Sequence, residues 1–195
     1  MTRGRLIAFE GLDQSGKQTQ ALRLRQALNA NGLGAVSFDF PDYGTPIGRE
    51  IGAALSGQRA FSPDCLQLLF VANRCEHRPA IETALAAGQW VVCDRYLASS
   101  IAYGEAQGLD PEWLGLIQRV LPPADLTVLL DIAPEVAAAR KQQQRDAFEQ
   151  DLALLGRVRA SYIRQASAAP GWYVVDAARD RDDVTRDVID LVGGL

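Results

Sequence analysis

The stretch Arg5-Leu-Ile-Ala-Phe-Glu-Gly11-Leu-Asp-Gln-Ser-Gly16-Lys17-Gln18-Thr19-Gln20 constrains this chain more than any other part of it. The apolar run Leu6 to Phe9 predicts a short buried strand. Two glycines then bracket four residues and are followed by a lysine, and Ala21, Leu22, Leu24 and Leu28 mark an amphipathic segment beyond them. Strand, glycine loop and helix in that order is the setting of a Walker A loop. Gly11 and Gly16 permit backbone angles and close approaches that a Cβ blocks. Successive N–H groups can then turn into the loop at the positive end of a helix, which makes a nest for phosphate. Lys17 adds a charge that can reach a transferred phosphoryl group. The plainer reading is a glycine turn between a strand and a helix, and the flanking periodicity argues against it.

One position departs from that motif. The loop usually ends Gly-Lys-Ser/Thr, whose hydroxyl ligates magnesium. Here it reads Gly16-Lys17-Gln18-Thr19. Either the Gln18 amide oxygen serves, or phosphates and carboxylates hold the metal.

A chain of 195 residues suits one α/β domain with a sizeable core. A net charge of −4 predicts no broad basic face and hence no nucleic-acid partner. Cys65, Cys75 and Cys93 are an odd number without CxxC or histidine spacing, so they are expected to be small buried hydrophobes rather than zinc ligands or a disulfide framework. No signal-like segment precedes Arg5 and no apolar run approaches membrane length, so a cytoplasmic protein with no membrane partner is expected.

Further strands are predicted at Ala35–Phe40, Gln89–Cys93, Leu126–Ile132 and Trp172–Val175. Helices are predicted at Arg49–Leu55, Pro63–Ala86, Ala98–Gln107, Pro111–Val120, from Pro134, from Phe148 to about Ala168, and at Asp182–Leu191. Strands alternating with helices argue for an α/β fold, a five-stranded parallel sheet with helices on both faces. No repeat or linker divides residues 1–195, which read as a single domain. In such sheets ligands bind beyond the carboxyl ends of the strands. The Gly11–Lys17 loop and Asp94 both follow strand ends, so they can converge.

Asp94 can hold magnesium, accept a proton or cap the next helix. Arg95 can clamp a second phosphate bidentately or form an ion pair. Asp13 would repel phosphate inside the loop, so it is read as a partner of a sugar hydroxyl or of magnesium. Phe70 and Arg74 lie one turn apart on the third helix and suit a base-reading pair; otherwise they are a core ring beside a solvated arginine. Arg140, Lys141 and Arg145 form a basic cluster that a closing lid near residues 140–148 would carry, or a solvated helix end. The lone histidine, His77, is not read as catalytic, because an ionised phosphate acceptor needs no strong base.

Together, Phe9-Glu-Gly-Leu-Asp13…Gly16-Lys17, Phe40-Pro41-Asp-Tyr43-Gly-Thr-Pro-Ile-Gly48, Leu68-Leu-Phe70-Val-Ala-Asn-Arg74 and Asp94-Arg95-Tyr96…Ser99-Ser100-Ile-Ala-Tyr103 resemble the thymidylate kinase family. The resemblance is dense over the first half and follows layout thereafter. It implies a P-loop nucleoside monophosphate kinase that transfers phosphate from ATP, with magnesium, to dTMP, as a cytoplasmic homodimer. ATP would take Gly11, Leu12, Asp13, Gln14, Ser15, Gly16, Lys17, Gln18 and Thr19, with Ala178 of the Asp176–Arg179 loop at the adenine. Phe70 would stack on thymine, Arg74 and Ser100 would meet the base, and Tyr103 would lie against the deoxyribose 2′ carbon. Arg95 would grip the dTMP phosphate, with Ser99 and the Phe40–Tyr43 loop beside it. Asp13 and Asp94 would be the metal partners, and Lys17, Arg95, Asp94, Arg145 and Arg140 the catalytic set. Departures from the family pattern are Gln18, Asp42, Gly104-Glu105, Ala147 and the absence of arginine at Gln14, which leaves the lid to supply catalytic charge.

The competing readings are a P-loop kinase for a deoxynucleoside or another monophosphate, and a non-catalytic nucleotide-binding module. Arg95 argues for a phosphate-bearing acceptor. A nucleoside kinase would place a general-base carboxylate at the 5′-hydroxyl.

Overall fold

Each of the short apolar runs forms a strand, and the polar residue at its end begins the binding edge. The structure, a computed structural model, describes residues 3–140 and 151–193. The elements are β1 (Leu6–Glu10), α1 (Lys17–Ala30), β2 (Ala35–Asp39), α2 (Pro46–Leu55), α3 (Pro63–Ala86), β3 (Trp90–Asp94), α4 (Leu97–Ala106), α5 (Pro111–Ile117), β4 (Leu126–Asp131), α6 (Pro134–Arg140), α7 (Leu152–Ala168), β5 (Trp172–Asp176) and α8 (Arg181–Gly193). The five strands lie in the order β2-β3-β1-β4-β5, and all pairs are parallel. The expected fold class is therefore the observed one.

The sheet is covered on both faces, which is why its central strands are apolar at successive positions. All of β1 is buried. Ile7, Phe9 and Val92 share an apolar cluster with Leu24 of α1 and Val188 of α8. Leu6, Ala8, Val91 and Cys93, which alternate with them, pack with Val71, Ile81 and Leu85 of α3.

Several boundaries differ from the expectation, each for a local reason. The second helix begins at Pro46 rather than Arg49, because Thr45 caps it: its Oγ1 accepts from Gly48 N at 2.9 Å, and proline suits the first turn. The fifth helix stops at Ile117 rather than Val120; Pro122 and Pro123 follow, and proline cannot continue a helical ladder. β1, β3 and β5 each run one residue further, into Glu10, Asp94 and Asp176, because the ladder continues past the apolar run. β2 ends at Asp39, before Phe40. The expected helix start at Phe148 lies outside the described residues. From Leu152 the helix is continuous through Gly156, capped by Asp151, whose carboxylate accepts from Leu154 N at 2.9 Å.

The register sets the site. Phe9 pairs with Asp94, Asp39 with Asp94, and Asp131 with Asp176, so the carboxyl ends of the strands reach one level. The loop after β1, the turn after β3 and the loop after β5 all open there.

Candidate active site

The glycine loop has the geometry its sequence requires. Gly11 has φ +140°, and a Cβ there would stand 2.5 Å from the Leu130 carbonyl oxygen. Gly16, with φ +94°, is the N-cap of α1. Gln14 takes a left-handed conformation, φ 64°, as a side-chain-bearing residue. Lys17 is buried and its Nζ donates to the Leu12 carbonyl at 2.8 Å. Burial, then the neighbouring Arg95 charge, lowers its pKa to about 8, against the pull of Asp13, Asp94 and Glu10. Ser15 is buried, and its hydroxyl has no partner among the described residues. Gln18 is exposed on the first turn of α1, and Thr19 is half-buried.

The turn after β3 brings Arg95 onto this loop. Arg95 adopts φ 62°, an unusual conformation for a residue with a side chain. Its N–H donates to the Phe9 carbonyl at 2.9 Å, so the turn is tied to β1. The guanidinium donates to Asp13 Oδ1 at 2.6 Å, to the Gly11 carbonyl at 3.2 Å and to Ser99 Oγ at 3.2 Å. It reaches the Tyr162 and Tyr103 hydroxyls at 3.3 and 3.4 Å. Burial alone would raise the Asp13 pKa, but the charges of Arg95 and Lys17 and hydrogen bonds from Arg95 and Tyr103 hold it well below the carboxylate range. The reverse balance operates on Asp94: burial dominates and raises it, despite Lys17 and Arg95. Asp94 Oδ1 is buried without a partner, and the cap of the next helix is Tyr96, so the helix-capping reading of Asp94 does not hold.

Asp13, Tyr43, Phe70, Arg74, Arg95, Ser99, Ser100 and Tyr103, scattered in sequence, line one cavity that is partly open to solvent. Arg74 is 2% exposed and donates to Ser100 Oγ at 2.8 Å, so it is not a solvated arginine. The Arg95 guanidinium lies 5.3 Å from the Tyr103 ring centroid, and the Tyr103 hydroxyl donates to Asp13 Oδ2 at 3.2 Å. One end of the cavity is thus cationic and touches the glycine loop; the other is a half-buried ring with a buried guanidinium.

Sequence reasoning missed the residues that hold this arrangement. Glu10 is fully buried and accepts from Tyr96 N at 2.9 Å, Ser99 N at 3.3 Å, Ser99 Oγ at 2.6 Å and the Tyr162 hydroxyl at 3.2 Å. It, rather than Asp94, satisfies the start of α4. Asn73 accepts from Asp42 N at 2.8 Å and donates to the Asp42 carbonyl at 3.2 Å and Thr45 Oγ1 at 2.9 Å, which pins the Phe40–Thr45 loop over the cavity. His77 sits beneath that loop, with Nε2 3.0 Å from Asp42 Oδ2 and its ring edge-on to Phe38 and Phe40. Gln67 also lines the cavity. Gln67 and Asn73, polar residues within the turns of α3 that carry Phe70 and Arg74, were the available signals.

Arg140, at the end of α6, donates to the Gln14 carbonyl at 3.1 Å and the Ala177 carbonyl at 2.8 Å, and reaches the Ala178 carbonyl at 3.5 Å. It therefore joins the glycine loop to the loop after β5. Arg145, Lys141 and Ala147 lie outside the described residues. Among the described residues no cluster of three or more His, Cys, Asp or Glu could hold a metal ion. Magnesium needs less when phosphates supply the remaining ligands, and one carboxylate with a bare buried oxygen, Asp94, fits that arrangement. Among the described residues no helix is long and apolar enough to cross a membrane.

A model of the thymidylate kinase family matches residues 9–188. A thymidylate kinase from Ralstonia nicotianae is 38% identical over 205 residues, covering 98% of this chain and 99% of that protein. One from Schizosaccharomyces pombe is 34% identical over 197 residues, covering 99% and 93%. A solved thymidylate kinase structure from Candida albicans superposes with a TM-score of 0.84 at 31% identity, covering 98% of this chain and 92% of that one.

Proposed function

The chain belongs to the thymidylate kinase family and phosphorylates dTMP to dTDP, and we propose that the cavity beside the glycine loop is where it does so, with ATP as donor and magnesium as cofactor. The observation that carries this reading is the continuity of the site. A cationic end at Arg95 adjoins the loop that cradles phosphate, and the same cavity ends in Phe70 and the Arg74–Ser100 pair. A pyrimidine monophosphate has that polarity, with its phosphate at Arg95 and its ring on Phe70.

The residues divide the work as follows. The N–H groups of Gly11 to Lys17 hold the ATP phosphates at the start of α1, with Gln18 and Thr19 on its first turn. Lys17 exchanges the Leu12 carbonyl for phosphate oxygens and follows the charge as it develops. Arg95 holds the acceptor phosphate bidentately, and Asp13 keeps Arg95 aimed while offering its other oxygen to a sugar hydroxyl. Tyr103 walls the sugar, Tyr43 and Ser99 border the phosphate end, and Arg74 with Ser100 meets the base edge. Asp94, whose Oδ1 is buried without a partner, would hold magnesium, with Asp13 as a second contributor. Bound magnesium would supply positive charge that offsets the charge on the phosphates. The adenine lies against Ala178, in the loop that Arg140 ties to the glycine loop. No general base is required, because the acceptor oxygen is already ionised; positioning and charge carry the reaction. Residues 1–195 act as one kinase domain, and the working form is a cytoplasmic homodimer.

The test is ADP release with ATP and magnesium against dTMP, dUMP, the ribose analogue, dCMP, AMP and thymidine. Turnover is expected with dTMP, and Arg95→Ala should reduce kcat/KM for dTMP by about 10²–10³-fold, the usual loss for one positioned donor. Turnover of thymidine without dTMP would overturn the assignment of the Arg95 end to phosphate.

A further inference from the structure

The mechanism leaves one fully buried polar side chain unused. Gln67 is 0% exposed, it lines the cavity, and neither its amide nitrogen nor its amide oxygen has a hydrogen-bond partner among the described residues. An unpaired buried amide is strongly unfavourable, so such groups are rare without a role. Its position is well defined. Gln67, Phe70 and Arg74 follow at three- and four-residue spacing along α3 and share one face. Arg74 stands one turn beyond Phe70 and is paired with Ser100. Gln67 stands one turn before it, and its Cγ comes within 3.3 Å of where a Cβ on Gly104 would be. Gly104 adjoins Tyr103, the residue whose hydroxyl joins Asp13 and Arg95 at the phosphate end.

We propose that Gln67 is a substrate-recognition residue whose side-chain amide donates to the 2-oxo group of the pyrimidine, directly or through one water. This rests on the dTMP reading above. With the phosphate on Arg95 and the ring on Phe70, the sugar crosses Tyr103. The pyrimidine edge nearest the sugar carries the carbonyl next to the glycosidic nitrogen. Gln67, on the Tyr103–Gly104 side of Phe70, meets that edge. Arg74, on the other side, meets the edge furthest from the sugar. The base is then held at two opposed edges, and the orphaned amide nitrogen gains a partner only when substrate arrives. Because every natural pyrimidine carries this carbonyl, Gln67 selects pyrimidine over purine, while Arg74 and Ser100 read the far edge.

The experiment is a cycle of one substitution against one substrate change. Gln67→Met keeps the length of the side chain and removes both polar atoms; Gln67→Leu provides a second apolar variant. The substrate change is 2-thio-dTMP, in which sulfur replaces the oxygen as a weak acceptor. Wild type should lose about tenfold in kcat/KM on 2-thio-dTMP, read chiefly in KM. Gln67→Met should show that same loss on dTMP, no further loss on the thio analogue, an unchanged KM for ATP and an undiminished melting temperature. Equal KM for dTMP in wild type and variant, or full discrimination against sulfur retained in Gln67→Met, would overturn the assignment. A loss of ATP and dTMP affinity together, with a lowered melting temperature in both variants, would also overturn it and make Gln67 a packing residue. Absence of dTMP turnover in the wild type would instead strike the dTMP reading itself.

Discussion

The Lys17 amine, on the proposed reading, meets the ATP phosphates from a buried position beside another cation. In the free protein its pKa is about 8, depressed by burial and by Arg95. A bound triphosphate adds several negative charges and moves that value back up, so between the two values the free site is neutral and the complex is protonated. ATP binding then takes up a proton, and affinity must fall as pH rises through 8. The dissociation constant for ATP should be flat below pH 7 and should climb above pH 8 toward tenfold per unit. Calorimetry in buffers of different ionisation enthalpy would show the proton uptake directly. Lys17→Arg, whose guanidinium stays charged, should bind with no such slope. A wild-type constant that does not change between pH 7 and 9.5 would refute this account of Lys17. Lys17, Asp94 and Arg95 were legible in the sequence because each directly follows a glycine loop or an apolar strand. Glu10 was not. It sits at the end of an apolar run, and the hydroxyl of Tyr162 that it binds lies 152 residues away. Nothing local announces such a partner.

At the scale of elements, the loop between β2 and α2 depends on one missing side chain. A Cβ on Gly48 would stand 1.7 Å from the Asp42 carbonyl oxygen, so the first turn of α2 lies directly against the loop backbone. That oxygen also accepts from Asn73, and Asp42 N is held by the same asparagine. Gly48→Ala must push the loop off α2, and we expect a loss of about 3 kcal/mol or more, a melting temperature lower by about 6–12 °C, and a raised KM for dTMP. Gly156→Ala is the control. Nothing lies within 4 Å of its Cβ position in the middle of α7, so removing a helical glycine should raise stability by about 0.5–1 kcal/mol. A Gly48→Ala variant as stable as wild type would mean that the loop is not seated on α2. The alternation of apolar runs and helical spacing gave all five strands and the full extent of α3, Pro63–Ala86. Caps and prolines accounted for the ends that differed at α2 and α5, because capping is decided by which backbone groups remain unpaired rather than by apolar spacing. The Asn73 clamp was invisible for a further reason: its partners are backbone groups of another segment.

Across the described residues, the parallel ladders hold the glycine loop and the cavity at one edge as two separate surfaces. The glycine loop hangs between β1 and α1, and the cavity wall includes residues of α3, α4 and the turn after β3. They meet at the Asp13–Arg95 pair, 2.6 Å apart, and at the Arg95 contact with the Gly11 carbonyl. If the sheet supplies the rigidity, loss of Arg95 should empty the acceptor side alone. Ligand at about 100 times its dissociation constant stabilises a protein by about 2.7 kcal/mol, which for a domain of this size is a rise of about 5–10 °C. Wild type should show that rise with dTMP and with ATP plus magnesium. With dTMP at the same concentration, a 100-fold weaker Arg95→Ala should rise by about 1 °C, since only about 0.4 kcal/mol remains. Its rise with ATP should stay near the wild-type value, and Lys17→Met should show the opposite pattern. Loss of both shifts in Arg95→Ala would mean that the Asp13–Arg95 pair, rather than the sheet, holds the glycine loop in shape. Arg95 would then be a structural tie of the donor loop as well as the acceptor's clamp.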